Sequence, residues 1–347
     1  MEWDLHKKVF LTENRGSSCN FGNHFRGSMF KHQRTIQAEI EFSGIGLHTG
    51  YPVKLKLVPA PPDTGILFRR SDLRYFEIEA TRAHVARVSY ATTLMKKGVM
   101  ISTVEHLLSA LYGLGIDNLY IDLNSMEVPI MDGSGKVFVE AIEKTGIVEQ
   151  DGLRRYLVIQ EPIEVRQNDK FAGVYPCTTP KATYIIDFPH NAIGRQEIAL
   201  DLTPDSYRRE IGTARTFGFA ADVEYLKRCG LIRGGSLENA VVLDETGIVN
   251  SHLRYPDEFV RHKLLDLLGD ISLVGYPIIG HLHAEKAGHA IHAALADQMA
   301  RNKGCYRICT VPERESESIL HRKSASTPQD RPYRGSLHAG KAQWQAD

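Results

Sequence analysis

From Gln33 the chain alternates apolar and polar positions, Thr35-Ile36-Gln37-Ala38-Glu39-Ile40, as a strand with one buried face does. It turns through Gly44-Ile45-Gly46-Leu47-His48-Thr49-Gly50 into Val53-Lys54-Leu55-Lys56-Leu57, a strand, glycine turn, strand pattern that Pro59, Pro61 and Pro62 end. At Ser102 the period changes: Val104, Leu107, Leu108 and Leu111 fall at i, i+3, i+4 and i+7, which predicts a helix over 102–114 with Gly113 and Gly115 at its end. A strand over 118–123, turn chemistry over 129–135 and a second helix over 138–145 follow.

The second half begins with strands at 156–159, 171–175 and 183–188. A short helix over 222–228, the glycine-rich turn 230–235 and an apolar strand over 240–243 read as a small βαβ insertion. A strong helix over 257–268 leads through Gly269-Asp270 into an expected strand over 271–274, and a last helix covers 289–301. Residues 1–28 lack apolar periodicity and 304–347 are rich in Ser, Arg, Pro and Gln, so both ends are expected to be disordered. Polar and charged residues gather at 151–155, which sets a first domain at 29–155 and a second at 156–303, with the insertion at about 217–243. Val104-Glu105-His106-Leu107-Leu108 is faintly echoed by Val260-Arg261-His262-Lys263-Leu264-Leu265. A duplicated α/β unit would put His106 and His262 at related positions facing one cleft.

Composition narrows the function. The 347 residues are 42% hydrophobic and 24% charged, ordinary for a globular chain and long enough for two domains. Lys+Arg and Asp+Glu each number 42, so no net field favours nucleic acid or an anionic membrane. No stretch approaches the ~20 apolar residues of a membrane-spanning helix. The five cysteines (Cys19, Cys177, Cys229, Cys305 and Cys309) are scattered without CxxC spacing, which fits a reducing cytoplasm better than a disulfide framework.

Histidines are dense late in the chain, at His262, His281, His283, His289 and His292. His262 and Asp266 are four apart on a helix and leave the same face, where they could chelate one ion or simply hydrogen-bond to each other. His106 leaves its helix opposite the leucine stripe, as a ligand or as a solvated histidine. Together the three would make a His₂Asp set with an open position, the pattern of catalytic rather than structural zinc. Glu105 fits two roles as well: Ser102-Thr103-Val104-Glu105 matches a capping box, and a carboxylate beside a metal ligand can accept a proton from water. Asp270 and His289 have bland readings as a helix-end residue and a helix-start residue. His281 and His283 read as surface strand residues.

Taken in order, Gly44–Gly50, Ser102-Thr103-Val104-Glu105-His106-Leu107 and Pro129-Ile130-Met131-Asp132-Gly133-Ser134 resemble the UDP-3-O-acyl-N-acetylglucosamine deacetylase family. So do Ala214-Arg215-Thr216-Phe217-Gly218-Phe219, Gly234-Gly235-Ser236, the run from Arg261 to Asp270, and Ala287-Gly288-His289-Ala290. The resemblance covers about Met29 to Arg301; the two ends resemble nothing in the family. It implies an α+β fold of two similar domains, each with helices packed on a β-sheet, the active site between them. It implies a zinc-dependent enzyme of lipid A biosynthesis that removes the N-acetyl group from an acylated UDP-N-acetylglucosamine. His106, His262 and Asp266 then match metal ligands, Glu105 the general base, His289 the general acid, Asp270 its carboxylate partner and Thr216 the oxyanion-holding hydroxyl. Lys263 matches a substrate contact, and Phe217 the start of a hydrophobic acyl-chain passage to which Val223, Leu226, Ile232 and Val242 are added as lining or as plain core. Zn²⁺ is the expected cofactor, with Fe²⁺ suited to the same N/O donors. A soluble cytoplasmic monomer with a small-molecule substrate and no nucleic-acid partner is expected. The residues also fit a zinc-dependent deacylase of another amide, or a binding protein in which zinc only staples two domains.

Overall fold

The structure is a computed structural model that describes residues 29–250 and 252–311. The expected extension at 1–28 and nearly all of the expected tail at 304–347 lie outside these residues. In the first half, β1 (Ile40–Ile45), β2 (Pro52–Pro59), β3 (Ile66–Arg70) and β4 (Phe76–Glu79) precede α1 (Glu105–Leu114), β5 (Leu119–Leu123) and α2 (Lys136–Thr145). In the second, β6 (Ile163–Gln167), β7 (Lys170–Tyr175), β8 (Lys181–Phe188) and β9 (Gly194–Asp201) come first. They lead to β10 (Phe217–Phe219), α3 (Ala220–Arg228) and β11 (Val241–Asp244), then to α4 (Glu258–Ser272), β12 (His281–Glu285) and α5 (His289–Arg301).

The two halves repeat one topology. The first sheet has the order β1-β2-β5-β3-β4 and the second β6-β7-β12-β8-β9. In each, the fifth strand in sequence enters the middle, parallel to the third and antiparallel to the second. Each half therefore runs four strands, a helix, the central strand and a second helix, with an insertion before the first helix. The insertion is the three-stranded sheet around 85–101 in the first half and β10-α3-β11 in the second, where β10 and β11 pair in parallel as a βαβ unit requires. The faint echo between the two histidine-bearing segments thus belongs to a duplicated fold, with α1 and α4 in equivalent places.

These two helices pack against each other inside the molecule. Leu107, Leu108 and Leu111 of α1 and Leu264, Leu265, Leu267 and Leu268 of α4 are buried in one continuous core. Both helices are apolar or buried on nearly every side, as interior helices are. α1 stops at Gly115, whose left-handed φ of 72° lets its N–H reach the carbonyls of Leu111 and Tyr112. Gly269 sets the crossing: a Cβ there would sit 2.1 Å from the Glu105 carbonyl oxygen, so only glycine lets the two backbones meet.

Four expectations differ from the structure. Ile271 and Ser272 continue α4 and form no strand, because the apolar run at 264–271 is buried by helix packing on all sides. The strand over 35–40 is broken after Ile36, which pairs with Ile147, and resumes at Ile40 in β1. Within the expected tail, Tyr306–Thr310 pairs antiparallel with Arg155–Ile159, because this short stretch is more apolar than the tail as a whole and Cys309 and Val311 pack with Tyr156 and Ile279. His106 does not sit on a solvated face: α4 covers it, and it is 5% exposed. Among the described residues, no helix is long and apolar enough to cross a membrane.

Candidate metal centre

α1 delivers Glu105 and His106, α4 delivers His262, Asp266 and Asp270, and α5 delivers His289. On α4 the three polar residues recur at i, i+4 and i+8, one stripe along one face. The ligand atoms of His106, His262 and Asp266 all lie within 4.8 Å of one another, and all three residues are buried. His262 Nε2 is 3.2 Å and His106 Nε2 3.7 Å from Asp266 Oδ1, with the two imidazoles edge-on at 85°. His262 Nδ1 donates to the Ala214 carbonyl at 3.1 Å, which orients the ring with Nε2 turned toward Asp266.

Burial and the neighbouring His262 hold the His106 imidazole neutral, its pKa lowered to about 3. Burial alone would raise the Asp266 carboxyl, but His262 and Lys263 outweigh it and keep it well below the usual range. Two imidazole nitrogens and a carboxylate oxygen, all buried, converge on one point. That arrangement fits a divalent cation with N and O donors. His106 Nδ1, buried and without a hydrogen-bond partner among the described residues, is consistent with a ring oriented by its other nitrogen.

Beside this set stands an acid–base pair. The Glu105 carboxylate is held by the Thr92 N–H, which donates to Oε2 at 3.1 Å, and its Oε1 lies 3.8 Å from His289 Nε2. No capping box forms: α1 begins at Glu105 without a side-chain cap, and Ser102 Oγ bonds Thr93 Oγ1 instead. Burial, with Asp270 and Asp266 nearby, pushes the Glu105 carboxyl up to about 8. His289 Nδ1 donates to Asp270 Oδ2 at 2.7 Å. Burial would lower the His289 imidazole, but Asp270 outweighs it and raises the ring to about 10. Asp270 itself, despite burial, is held at about 2 by His289 and His292.

Thr216 lies at the start of β10, half-buried, its N–H on the Gly133 carbonyl and its hydroxyl in no hydrogen bond among the described residues. Lys263 Nζ bonds Asp266 Oδ2 at 2.7 Å and sits 5.5 Å from the Phe217 ring centroid. It is tied to the candidate ligand carboxylate. Phe217 and Phe219 point to the core face of β10, against Phe188, and Phe217 also meets Phe259. On the opposite face a Cβ at Gly218 would meet nothing within 4 Å. Val242 pairs with Gly218, and α3 packs over these strands with Val223 and Leu226 half-buried; Ile232 is half-buried in the turn beyond α3. His281 and His283 lie on β12, half-buried with rings stacked at 6.2 Å, and Thr183 Oγ1 contacts His281 Nε2.

Three residues near the site carried no usable signal in the sequence. Thr92 bonds both Glu105 and Asp270, yet a threonine in a loop looks like any other. Glu127, fully buried, accepts from the His48 and Thr49 N–H groups and from the Thr49 and Thr103 hydroxyls, tying the glycine loop at 44–50 to the chain entering α1. His292 was visible only as one of five clustered histidines. A cavity of about 290 Å³ lies elsewhere, between Leu108, Leu111 and Tyr112 of α1 and the turn after α4. Its charged groups are already paired, Arg154 with Asp117 and Arg155 with Asp63.

Comparison with known proteins turns these positions into a lineage. The family model described as LpxC, UDP-3-O-acyl N-acetylglycosamine deacetylase, matches residues 33–301. A UDP-3-O-acyl-N-acetylglucosamine deacetylase of Solibacter usitatus (strain Ellin6076) is 47% identical over 279 residues, 80% of this chain and 94% of that protein. One from Myxococcus xanthus (strain DK1622) is 47% identical over 289 residues, 83% of this chain and 92% of its own length. The match takes in both repeats and every residue of the buried polar cluster between them, and the chain belongs to the UDP-3-O-acyl-N-acetylglucosamine deacetylase family.

Proposed function

We propose that this protein hydrolyses the N-acetyl group of a UDP-3-O-(3-hydroxyacyl)-N-acetylglucosamine, giving acetate and the free 2-amino sugar nucleotide, an early committed step of lipid A biosynthesis. The observation that carries the reading is the opposition of Glu105 Oε1 and His289 Nε2, 3.8 Å apart, beside the His106, His262 and Asp266 donor set. His106, His262 and Asp266 would hold Zn²⁺, or Fe²⁺ on the same donors. The ion supplies Lewis acidity to an otherwise unreactive acetamide carbonyl and acidifies water toward a pKa of ~7.

The remaining work falls to the chain's own residues. Glu105, made basic by burial and pinned through one oxygen by Thr92, takes the proton of the attacking water as the new C–O bond forms. The Thr216 hydroxyl, in no hydrogen bond among the described residues, would donate to the carbonyl oxygen as it gains charge. His289, protonated by its pairing with Asp270, gives its Nε2 proton to the amide nitrogen as the C–N bond breaks. Lys263, bonded to Asp266, would also contact the substrate. The open face of β10 at Gly218, with Val242 paired beside it, supports a passage for the acyl chain; Val223, Leu226 and Ile232, and Phe217 from the other face of the strand, are its further lining candidates. The proposal extends to a cytoplasmic monomer whose domains span 29–155 and 156–303.

The test is acetate release from the acylated UDP-N-acetylglucosamine by metal-loaded protein, with and without a chelator. Release that the chelator abolishes is expected, and no release would end the enzyme reading. Glu105→Gln should keep its metal and lose about 10²–10⁴ in turnover. Full turnover in that variant would reject Glu105 as base and favour a protein in which the metal only joins the two halves.

A further inference from the structure

Asp270 serves more than His289. Its Oδ2 accepts from His289 Nδ1 at 2.7 Å and from His292 Nδ1 at 2.9 Å, and its Oδ1 accepts from Thr92 Oγ1 at 2.5 Å. His292 stands one helical turn after His289 on α5, and the rings are 6.2 Å apart at 84°. It is 0% exposed, so it touches neither solvent nor cleft. Its second nitrogen, Nε2, meets Tyr184 Oη at 3.0 Å, and Tyr184, buried on β8, is anchored at 2.9 Å on the Ala287 carbonyl just before α5.

A wholly buried imidazole loses hydration that only well-made hydrogen bonds restore, and an aliphatic side chain would fill the same space without that cost. What an aliphatic side chain could not do is hold the carboxylate. With His289 as its only partner, the Asp270 group could turn about its terminal torsion, which is broad. Donors from α5 and from the Thr92 loop, approaching both oxygens, fix its plane. The plane in turn sets the direction of His289 Nδ1 and so the aim of His289 Nε2 toward Glu105.

We propose that His292, backed by Tyr184, is a positioning residue for proton delivery: it locks the Asp270 carboxylate so that His289 points its Nε2 at the departing nitrogen. This rests on the reading of His289 as proton donor. The test is steady-state acetate release by the metal-loaded full chain with His292→Leu, His292→Asn and His289→Asn. His292→Leu should lose about 10–100-fold in kcat with KM within about twofold and unchanged metal content. His292→Asn, whose amide can donate to Asp270 from nearly the place of Nδ1, should recover most of the loss.

Unchanged kcat in His292→Leu, equal impairment of the Leu and Asn variants, or a fall explained by lost metal would each overturn the inference. Should His292→Leu not fold, Tyr184→Phe decides: a several-fold fall in kcat at constant KM supports the chain of contacts, and unchanged kcat refutes it. His289→Asn separates the two ideas. Wild-type turnover there would remove the proton donor itself, whereas an inactive His289→Asn beside a fully active His292→Leu would sink only the positioning role.

Discussion

At the scale of single residues, the site works by making two groups more basic than their free side chains. Glu105 is a carboxylate made basic by burial, and His289 is an imidazole kept charged by Asp270 against burial. Opposed environments of this kind separate an acid from a base within one small volume. The sign of one consequence is fixed. Asp270→Asn removes the charge that holds His289 at about 10, so desolvation takes over and the imidazole pKa falls. The donor must be protonated, so the alkaline limb of the kcat–pH profile is expected to move to lower pH by a unit or more, with a lower plateau. A limb that stays in place in Asp270→Asn would mean that another group sets it.

At the scale of elements, the crossing of α1 and α4 decides whether His106 can join His262 and Asp266. Gly269→Ala places a methyl 2.1 Å from the Glu105 carbonyl oxygen, backbone against side chain with nothing flexible to yield. The helices must part, so the variant is expected to lose several kcal/mol in denaturant unfolding and to load metal less than stoichiometrically. Wild-type stability and loading in Gly269→Ala would show that the crossing tolerates more than this geometry permits. The start of α4 carries a second structural demand. Glu258 is fully buried and bound to Arg215 through two oxygens at 2.9 and 3.1 Å. Arg215→Met leaves that carboxylate buried without its cation and is expected to cost about 3–5 kcal/mol. Burial would raise the Glu258 carboxyl, but its bonds to Arg215 and to backbone N–H groups hold it below the ordinary value. Its stabilisation is therefore present above the unfolded carboxylate pKa of ~4.3 and lost as pH falls through the depressed folded value. The gap between wild type and Arg215→Met, followed by unfolding at several pH values, should narrow on the acid side.

At the scale of the whole molecule, the donor set draws one imidazole from the first repeat and an imidazole and carboxylate from the second. An ion held there binds the folded chain and not the unfolded one, so it acts as a clamp between the repeats. At a free metal concentration 100 times Kd the gain is about 2.7 kcal/mol. A chelator should therefore lower Tm in the wild type, while His262→Ala should show a lower Tm that neither chelator nor added metal moves. A chelator response that persists in His262→Ala would locate the stabilising ion elsewhere.

The chain's own pattern determined that helices lie at 105–114, 258–272 and 289–301, to within a few residues at their ends, together with the βαβ insertion and the spacing of His262, Asp266 and Asp270, because periodicity and i, i+4 geometry are local properties. It also held the repeat, compressed into a few shared positions around His106 and His262. Tertiary structure alone decided the rest. Whether His106 faced water or α4, whether Glu105 capped its helix or turned toward His289, and whether residues 271–272 were strand or helix all depended on which surfaces met. The contacts of Thr92, Glu127 and His292 join elements far apart in the chain. No local pattern encodes such meetings; packing of two interior helices through a single glycine does.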